Sequence, residues 1–192
     1  MNLRTGAVMA SLILLGLATS ATAQPSDFRY SYLEGGYLRA DLDSPNVNGD
    51  GLFVGGSVLV AESLILSADY DYLDFDRGID VRSLELGLGV PLPVAPGLDI
   101  VIRGGYIDAK LDTRFGDFND DGFFAGGLAR WMVSPQVELN GGLKYVDLDE
   151  SGSDVVFTVG GLVNVRPDLA VLAGFEFADD SDLLSLGFRY YF

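Results

Sequence analysis

Residues 183–192 at the end of the chain read L-L-S-L-G-F-R-Y-Y-F. Large apolar side chains recur there at every second position: Leu184, Leu186, Phe188, Tyr190 and Phe192. Successive side chains of a β-strand point to opposite faces, so these residues share one face. Such a face is expected where a strand of a membrane barrel contacts lipid. The stretch therefore predicts a lipid-facing strand.

The first residues of the chain have the features of a cleaved secretory signal peptide. Arg4 supplies a positive charge, positions 7–18 form an apolar run, and Ala21 and Ala23 form a small-x-small cleavage site. The run is too short and poorly flanked for a transmembrane helix. We expect a Sec-type signal over residues 1–23 and a mature domain over residues 24–192. Because the chain has no cysteine, we expect neither a lipoprotein nor a disulfide framework.

The mature chain predicts ten short strands. Hydrophobic residues make up 48% of the sequence, yet they are spread through short alternating runs. This pattern favours either a water-soluble β-protein or a barrel in lipid. The predicted strands are 28–40, 51–59, 64–74, 81–90, 98–112, 122–132, 137–147, 154–165, 169–178 and 183–192.

The predicted connections alternate in character along the chain. One set is short and contains proline or small polar residues, at 60–63, 91–97, 134–135 and 166–168. The other set is longer and acidic, at 41–50, 75–80, 113–121, 148–153 and 179–182. Short turns at one rim and longer loops at the other are typical of an outer-membrane barrel with periplasmic turns. An even number of strands then places both termini on the periplasmic side.

The hairpins also resemble one another in sequence. Residues 51–76 and 122–149 share a strand with a Gly-Gly pair, a tight turn, a longer strand and an acidic end. Regions 83–112 and 155–180 follow the same plan. Repetition of a hairpin unit is one way in which barrels grow. We therefore predict an all-β, antiparallel up-and-down barrel of about ten strands.

One face of the predicted strands is apolar and the other carries charges of both signs. We expect the charged face to point into the lumen. The lumen would then be either a salt-bridged interior that passes no solutes or a narrow hydrated pore. The predicted lumen charge network comprises Asp69, Asp71, Glu85, Arg103, Arg130, Glu138, Lys144, Glu176 and Arg189.

The first strand is ambiguous because Glu34 shares its face with Tyr30 and Tyr32. A β-bulge near Gly35 and Gly36 would move Glu34 to the other face. Aromatic residues toward the predicted strand ends are expected at the membrane interfaces. They are Tyr32, Tyr72, Tyr106, Trp131, Tyr145 and Tyr190.

Two acidic segments share the ligand spacing that begins a calcium-binding loop. The candidate ligands are Asp117, Asn119 and Asp121 in one segment, and Asn46, Asn48 and Asp50 in the other. The twelfth positions, Leu128 and Ser57, lack the bidentate glutamate. The segments therefore predict at most a weak Ca²⁺ or Mg²⁺ site, or else turns in which Asx and Gly satisfy the backbone. We expect no other cofactor.

The terminal S-L-G-F-R-Y-Y-F and the opening Y-S-Y-L-E-G-G-Y resemble small Gram-negative outer-membrane β-barrels, the OmpA- and OmpX-like group, here in a ten-stranded version. The resemblance covers residues 28–192. It implies an integral protein of the cell outer membrane with a structural or surface-interaction role, or alternatively a narrow porin. Gly187, Tyr190 and Phe192 would form the signal that the barrel-assembly machinery reads.

The remaining expectations concern partners and chemistry. Outer-membrane lipid and lipopolysaccharide are expected partners, with Arg39, Lys110 and Arg114 placed to contact lipid phosphates. A net charge of −16 argues against nucleic acid. The chain has no histidine and no cysteine, so the Ser-His route of lipid-modifying barrels is closed. An aspartate dyad such as Asp120 with Asp121 is a formal alternative, but adjacent acids in a loop are more often simply solvated, so we expect no enzymatic activity.

Overall fold

The computed structural model describes residues 26–42, 47–75, 78–114, 116–179 and 181–192. The predicted signal peptide and Asn46 lie outside these residues. The described chain forms ten strands: β1 (Tyr32–Leu42), β2 (Val47–Ala61), β3 (Leu64–Phe75), β4 (Ile79–Ala95), β5 (Leu98–Thr113), β6 (Gly116–Ser134), β7 (Val137–Leu148), β8 (Gly152–Arg166), β9 (Leu169–Ala178) and β10 (Ser181–Tyr191). Within the same ranges, no helix combines the length and the apolar character needed to cross a bilayer.

The strands close into one antiparallel barrel in which sequence neighbours pair throughout. The last strand pairs with the first over its whole length, from Tyr32 opposite Tyr191 to Leu42 opposite Ser181. Closure satisfies the backbone hydrogen bonds of every strand, which an edge exposed to lipid would not allow. The predicted ten-stranded, up-and-down barrel is therefore confirmed.

The four hairpins on one end of the barrel are built alike. Each consists of a two-residue turn and a register shift just before it, near Ala61, Ala95, Ser134 and Arg166. A shift of this kind is a β-bulge, which increases the local twist as the chain reverses. We call this end the turn rim. The structure thus gives the predicted hairpin repeat a common geometry.

The opposite end, which we call the acidic rim, differs from the prediction of long loops. The strands continue through most of the acidic segments, and no more than four residues separate consecutive strands there. In particular, β6 begins at Gly116, whereas the sequence predicted a start at Gly122. Water above the apolar belt solvates charged side chains, so a strand rich in aspartate continues there without penalty. Composition alone therefore placed the loop boundaries wrongly.

The predicted alternation of faces is confirmed. On β10, Leu186, Phe188 and Tyr190 are exposed on the outer surface, whereas Gly187 and Tyr191 are buried on the inner side. Strands β3, β4, β7 and β8 follow the predicted parity in the same way. Between the two rims, the outer surface is accordingly a continuous apolar belt.

The first strand contains no bulge. Its pairing with β10 and with β2 runs without a shift through Gly35 and Gly36. Glu34 therefore faces the lumen together with Tyr32, and the interfacial position predicted for Tyr32 is wrong. The Tyr32 ring instead packs edge-on against Tyr191 inside the barrel, with ring centroids 6.2 Å apart.

Glycine permits a close approach at the seam between β1 and β10. A Cβ atom on Gly36 would lie 2.1 Å from the carbonyl oxygen of Leu186, and one on Gly187 would lie 2.4 Å from that of Gly35. The Phe53 ring covers both glycines, within 2.8 and 2.9 Å of those Cβ positions. An aromatic ring that covers bare glycine backbone stabilises a strongly curved sheet.

Candidate functional site: the barrel lumen

The chain before β1 was predicted to be the start of a strand, but it folds into the lumen at the turn rim. We call residues 26–31 the N-terminal segment. Phe28 and Tyr30 of this segment are buried against Ile65 and Val101, which point inward from β3 and β5. Leu128 and Met132 of β6 complete the packing. The alternating aromatics that resemble a strand in the sequence therefore form the hydrophobic core of the turn rim.

Asp99 at the start of β5 anchors the N-terminal segment. Its side chain is only 1% exposed. Its Oδ2 atom accepts hydrogen bonds from the Ser26 hydroxyl at 2.5 Å and from the Tyr30 hydroxyl at 2.6 Å. A buried carboxylate requires such donors, because it has lost its hydration. The Ser57 hydroxyl also donates to the Tyr30 carbonyl oxygen and fixes the segment to β2.

Arg130 and Glu138 form a buried ion pair directly against the N-terminal segment. Arg130 Nε donates to Glu138 Oε1 at 2.6 Å, and Nη2 donates to Oε2 at 2.8 Å. The guanidinium carbon lies 4.7 Å from the centre of the Phe28 ring and 4.8 Å from that of Tyr30. The bidentate geometry and the two rings offset the desolvation of both charges. The pair therefore joins β6, β7 and the N-terminal segment.

A second ion pair crosses the seam of the barrel. Arg189 of β10 lies opposite Glu34 of β1, and its Nη2 and Nε atoms lie 2.6 and 2.7 Å from Glu34 Oε2. The Arg189 guanidinium also lies 3.8 Å from the centre of the Tyr32 ring. The last strand is thus tied to the first by side chains as well as by the backbone.

A third group of charges lies in the middle of the lumen. Glu85 of β4 accepts a hydrogen bond from Lys144 of β7, and its Oε2 atom lies 3.7 Å from Arg103 Nη2. Both cations also approach the Phe124 ring, at 5.4 Å for Arg103 and 5.8 Å for Lys144. Glu85 therefore connects two walls of the barrel across its interior.

Three carboxylates in the lumen have no basic partner. Among the described residues, no Lys or Arg nitrogen lies within 4.0 Å of a side-chain oxygen of Asp69, Asp71 or Glu176. These acids line a cavity of about 270 Å³ together with the three ion pairs described above. The cavity therefore carries an excess of negative charge.

The structure brings all nine predicted lumen residues to this one cavity. Sequence reasoning missed Phe28, Tyr30 and Asp99, and it left Glu34 undecided. Asp99 shares the strand face of Arg103, and that parity was the available signal. No local pattern indicates that the N-terminal segment turns inward, because its partners come from distant strands.

The three predicted assembly residues differ in position: two lie on opposite faces of the last strand, and the third follows its end. Gly187 is buried at the seam, whereas Tyr190 is exposed on the outer surface. Phe192, which is also exposed, donates its backbone N–H to the carbonyl oxygen of Ser31 at 3.2 Å. The end of the chain therefore lies beside the N-terminal segment at the turn rim.

The candidate calcium ligands are not arranged as a loop. Asp117, Asn119 and Asp121 occupy alternate positions of β6, and Asn48 and Asp50 occupy alternate positions of β2. Side chains at alternate strand positions project in parallel and do not converge on one point. Within the described part of the chain, no group of three or more Asp, Glu, His or Cys residues is placed to hold a metal ion. Asp50 instead accepts a hydrogen bond from Tyr37.

Residues 9–192 match the family described as outer membrane protein beta-barrel domain, and the chain belongs to this family. No curated protein matches the chain.

Solved structures that resemble the fold include two porins and a surface protein. The KdgM porin in complex with disordered oligogalacturonate is 10% identical over 84% of this chain and 98% of that chain, with a TM-score of 0.45. The NanC porin is 9% identical over 84% and 100%, with a TM-score of 0.46. Neisserial surface protein A is 16% identical over 84% and 96%, with a TM-score of 0.41.

Proposed function

We propose that this protein is an integral barrel of the bacterial outer membrane with a structural or surface-interaction role, and that its N-terminal segment closes the lumen. The observation that carries this proposal is the turn-rim packing, in which Phe28 and Tyr30 occupy the lumen and Asp99 and Arg130 hold them there. A barrel that fills one mouth with its own aromatic side chains is poorly suited to passing solutes.

Apolar side chains also narrow the other half of the lumen, where they form two separate clusters. Ala40, Val47 and Phe75 form one buried apolar cluster toward the acidic rim. A second cluster, from the opposite wall, consists of Ile107, Phe124 and Val146. The charged middle of the lumen is therefore bounded by apolar side chains on both sides, and its ion pairs brace the walls.

A narrow porin is the second candidate, and the unpaired acids favour it. Asp69, Asp71 and Glu176 line the cavity, and none of them has a basic partner in the part of the chain that the structure describes. A displaced N-terminal segment would expose them to a path suited to small cations. Liposome swelling distinguishes the two functions. A closed barrel leaves the swelling rate in a small sugar equal to that of protein-free liposomes, whereas a rate that rises with the amount of protein would contradict closure.

We also propose that the turn rim faces the periplasm and the acidic rim faces the cell exterior. The first and last strands meet at the turn rim through the pairing of Tyr32 with Tyr191, and Phe192 contacts Ser31 there. The signal peptide predicted over residues 1–23 would deliver the chain to the periplasm for insertion. Because the chain has no cysteine, single cysteines at Ser151 and at Ser63 report the two rims separately. A membrane-impermeant maleimide should label whole cells that carry Ser151→Cys and leave cells that carry Ser63→Cys unlabelled. Labelling of Ser63→Cys alone would show that the orientation is the opposite one.

We propose that the barrel-assembly machinery reads the last strand through Gly187, Tyr190 and Phe192. Deletion of Phe192 removes an exposed terminal aromatic that does not contribute to the buried core. The variant should therefore accumulate less barrel in the membrane. Barrel refolded in detergent loses only the hydrogen bond from Phe192 to Ser31 and should keep most of its stability. Equal membrane yields for the variant and the parent would contradict the proposal.

The proposed role is non-catalytic. The sequence contains no histidine and no cysteine, which are the common bases and nucleophiles near neutral pH. The charged lumen residues are instead engaged in ion pairs or line the cavity wall. These contacts account for the charges as structural elements.

A further inference from the structure

Three basic residues of the strands point outward near the acidic rim, and they differ in their partners. Arg82 lies 3.0 Å from Asp112, and Lys110 lies 3.8 Å from Asp108. Arg39 of β1 has no carboxylate oxygen within 4.0 Å among the described residues. Its guanidinium interacts with the hydroxyl of Tyr37, which itself donates to Asp50, the residue opposite Arg39 on β2. The remaining guanidinium donors are available to an anion from outside the protein.

The surface on the β10 side of Arg39 is apolar, whereas Asp50 lies on its β2 side. In the sheet register Arg39 lies opposite Leu184, and Leu184 lies opposite Phe175. The rings of Phe175 and Phe177 are stacked, with centroids 6.3 Å apart and planes 13° from parallel, and they are 47% and 42% exposed. Together with Arg39 these side chains line a groove of about 430 Å³ on the outer surface.

Two carboxylates border the groove on its water side. Asp41 and Asp182 face each other one outward position beyond Arg39 and Leu184. Two residues along a strand correspond to roughly 7 Å, so these acids lie nearer the acidic rim than the guanidinium does. An anion that reaches Arg39 from the bilayer side therefore avoids them.

We propose that this groove binds lipopolysaccharide, with a phosphate of its acylated sugar headgroup on Arg39 and an acyl chain against Phe175, Phe177 and Leu184. The molecules that surround the belt are lipids, and a guanidinium that has no carboxylate partner within the described ranges favours an anionic headgroup. A guanidinium offers paired donors that match phosphate oxygens. The choice of this lipid rests on the proposed exterior position of the acidic rim.

The test titrates the full-length barrel with purified lipid A in zwitterionic detergent and measures bound lipid by native mass spectrometry. Lipid A with both phosphates should bind at least about tenfold more tightly than dephosphorylated lipid A, since a hydrogen bond to a charged group is lost. Arg39→Gln should remove that difference. The matched control Arg82→Gln, whose parent cation already has a carboxylate partner, should change the affinity less than twofold.

Phe175→Ala should weaken both lipids about equally, because it removes an acyl-chain contact and leaves the phosphate contact. Each variant is compared only after its heat-modifiable gel mobility matches that of the parent, which shows that the barrel is intact.

Three results would overturn the proposal. Equal affinities for the two forms of lipid A would show that no phosphate is bound at Arg39. Binding that is abolished by EDTA but unchanged in Arg39→Gln would show that divalent cations bound to the carboxylates, and not Arg39, hold the lipid. An Arg39-dependent preference for phosphatidylglycerol over lipid A would replace the occupant with a phospholipid.

None of these results depends on whether the lumen conducts. A barrel that conducts and still binds lipid A through Arg39 would overturn the proposed closure of the lumen and leave the lipid proposal intact. Cysteine labelling at the two rims separately tests the orientation on which the lipid assignment rests.

Discussion

The turn-rim half of the lumen and its middle differ in how their charges are partnered. At the turn rim, Arg130 and Glu138 are almost fully buried and form a bidentate pair under two aromatic rings. In the middle, Asp69, Asp71 and Glu176 line a cavity, and no described Lys or Arg nitrogen lies within 4.0 Å of their carboxylates. A buried charge must be paired, whereas a charge beside a cavity large enough for water can be solvated there. The difference indicates that the turn rim supplies closure and stability, and that the three acids without a basic partner contribute little to either.

The largest effect is expected from Arg130→Ala. The substitution leaves Glu138 buried without a partner and removes the cation that contacts Phe28 and Tyr30, so it should lower the free energy of unfolding by about 3–5 kcal/mol. Urea unfolding in detergent micelles measures the change. Arg103→Ala is the matched control, because Arg103 is one-third exposed and 3.7 Å from its partner, and it should cost less than about 1 kcal/mol. Equal losses for the two variants would contradict the comparison.

A smaller loss is expected from Asp99→Ala. This substitution removes the acceptor of the Ser26 and Tyr30 hydroxyls and leaves the Tyr30 hydroxyl buried, at a cost of about 1–3 kcal/mol. The N-terminal segment should also become susceptible to protease from the turn rim in proteoliposomes. Asp99→Asn retains one acceptor oxygen and should fall between the parent and Asp99→Ala. Full protease resistance in Asp99→Ala would show that the carboxylate does not anchor the segment.

The seam pair is intermediate between the two regions, because Glu34 and Arg189 are each partly exposed. Arg189→Ala should leave insertion intact and reduce the free energy of unfolding by about 1–2 kcal/mol, through loss of a charge-assisted hydrogen bond and the contact with Tyr32. The double variant with Glu34→Ala should lose little more than Arg189→Ala alone. Additive losses in this double-mutant cycle would mean that the two side chains do not stabilise each other.

The smallest effect is expected in the middle of the lumen. Neutralising the unpaired acids, one at a time, through Asp69→Asn, Asp71→Asn or Glu176→Gln should change the free energy of unfolding by less than about 1 kcal/mol. Any change should be stabilising, since each variant reduces repulsion among like charges. A loss as large as that of Arg130→Ala would show that the middle of the lumen is as tightly constrained as the turn rim.

The parts of the fold that sequence predicted are those governed by local alternation. Lipid on one side and lumen on the other impose a period of two, so Leu186, Phe188 and Arg189 could be assigned to their faces from the sequence. The count of strands followed from the same pattern and from prolines in the turns. The pairing of β1 with β10 followed because a barrel in lipid has no free edge.

The parts that sequence missed depend on contacts between distant residues. Phe28 and Tyr30 alternate as in a strand, but their burial depends on Asp99, Arg130 and other residues far along the chain. Glu34 could be assigned only when the register placed it opposite Arg189. The acidic strand ends were mistaken for loops because aspartate is equally well solvated in a loop and in a strand above the lipid.

Single-channel recording in planar bilayers tests most directly whether the N-terminal segment closes the lumen. The full-length protein should give no current steps above those of the bilayer alone. The variant with Phe28→Ala and Tyr30→Ala should give resolved steps, because it removes the two aromatic side chains that fill the turn rim. Steps of the same conductance from the unaltered protein and from this variant would contradict the account.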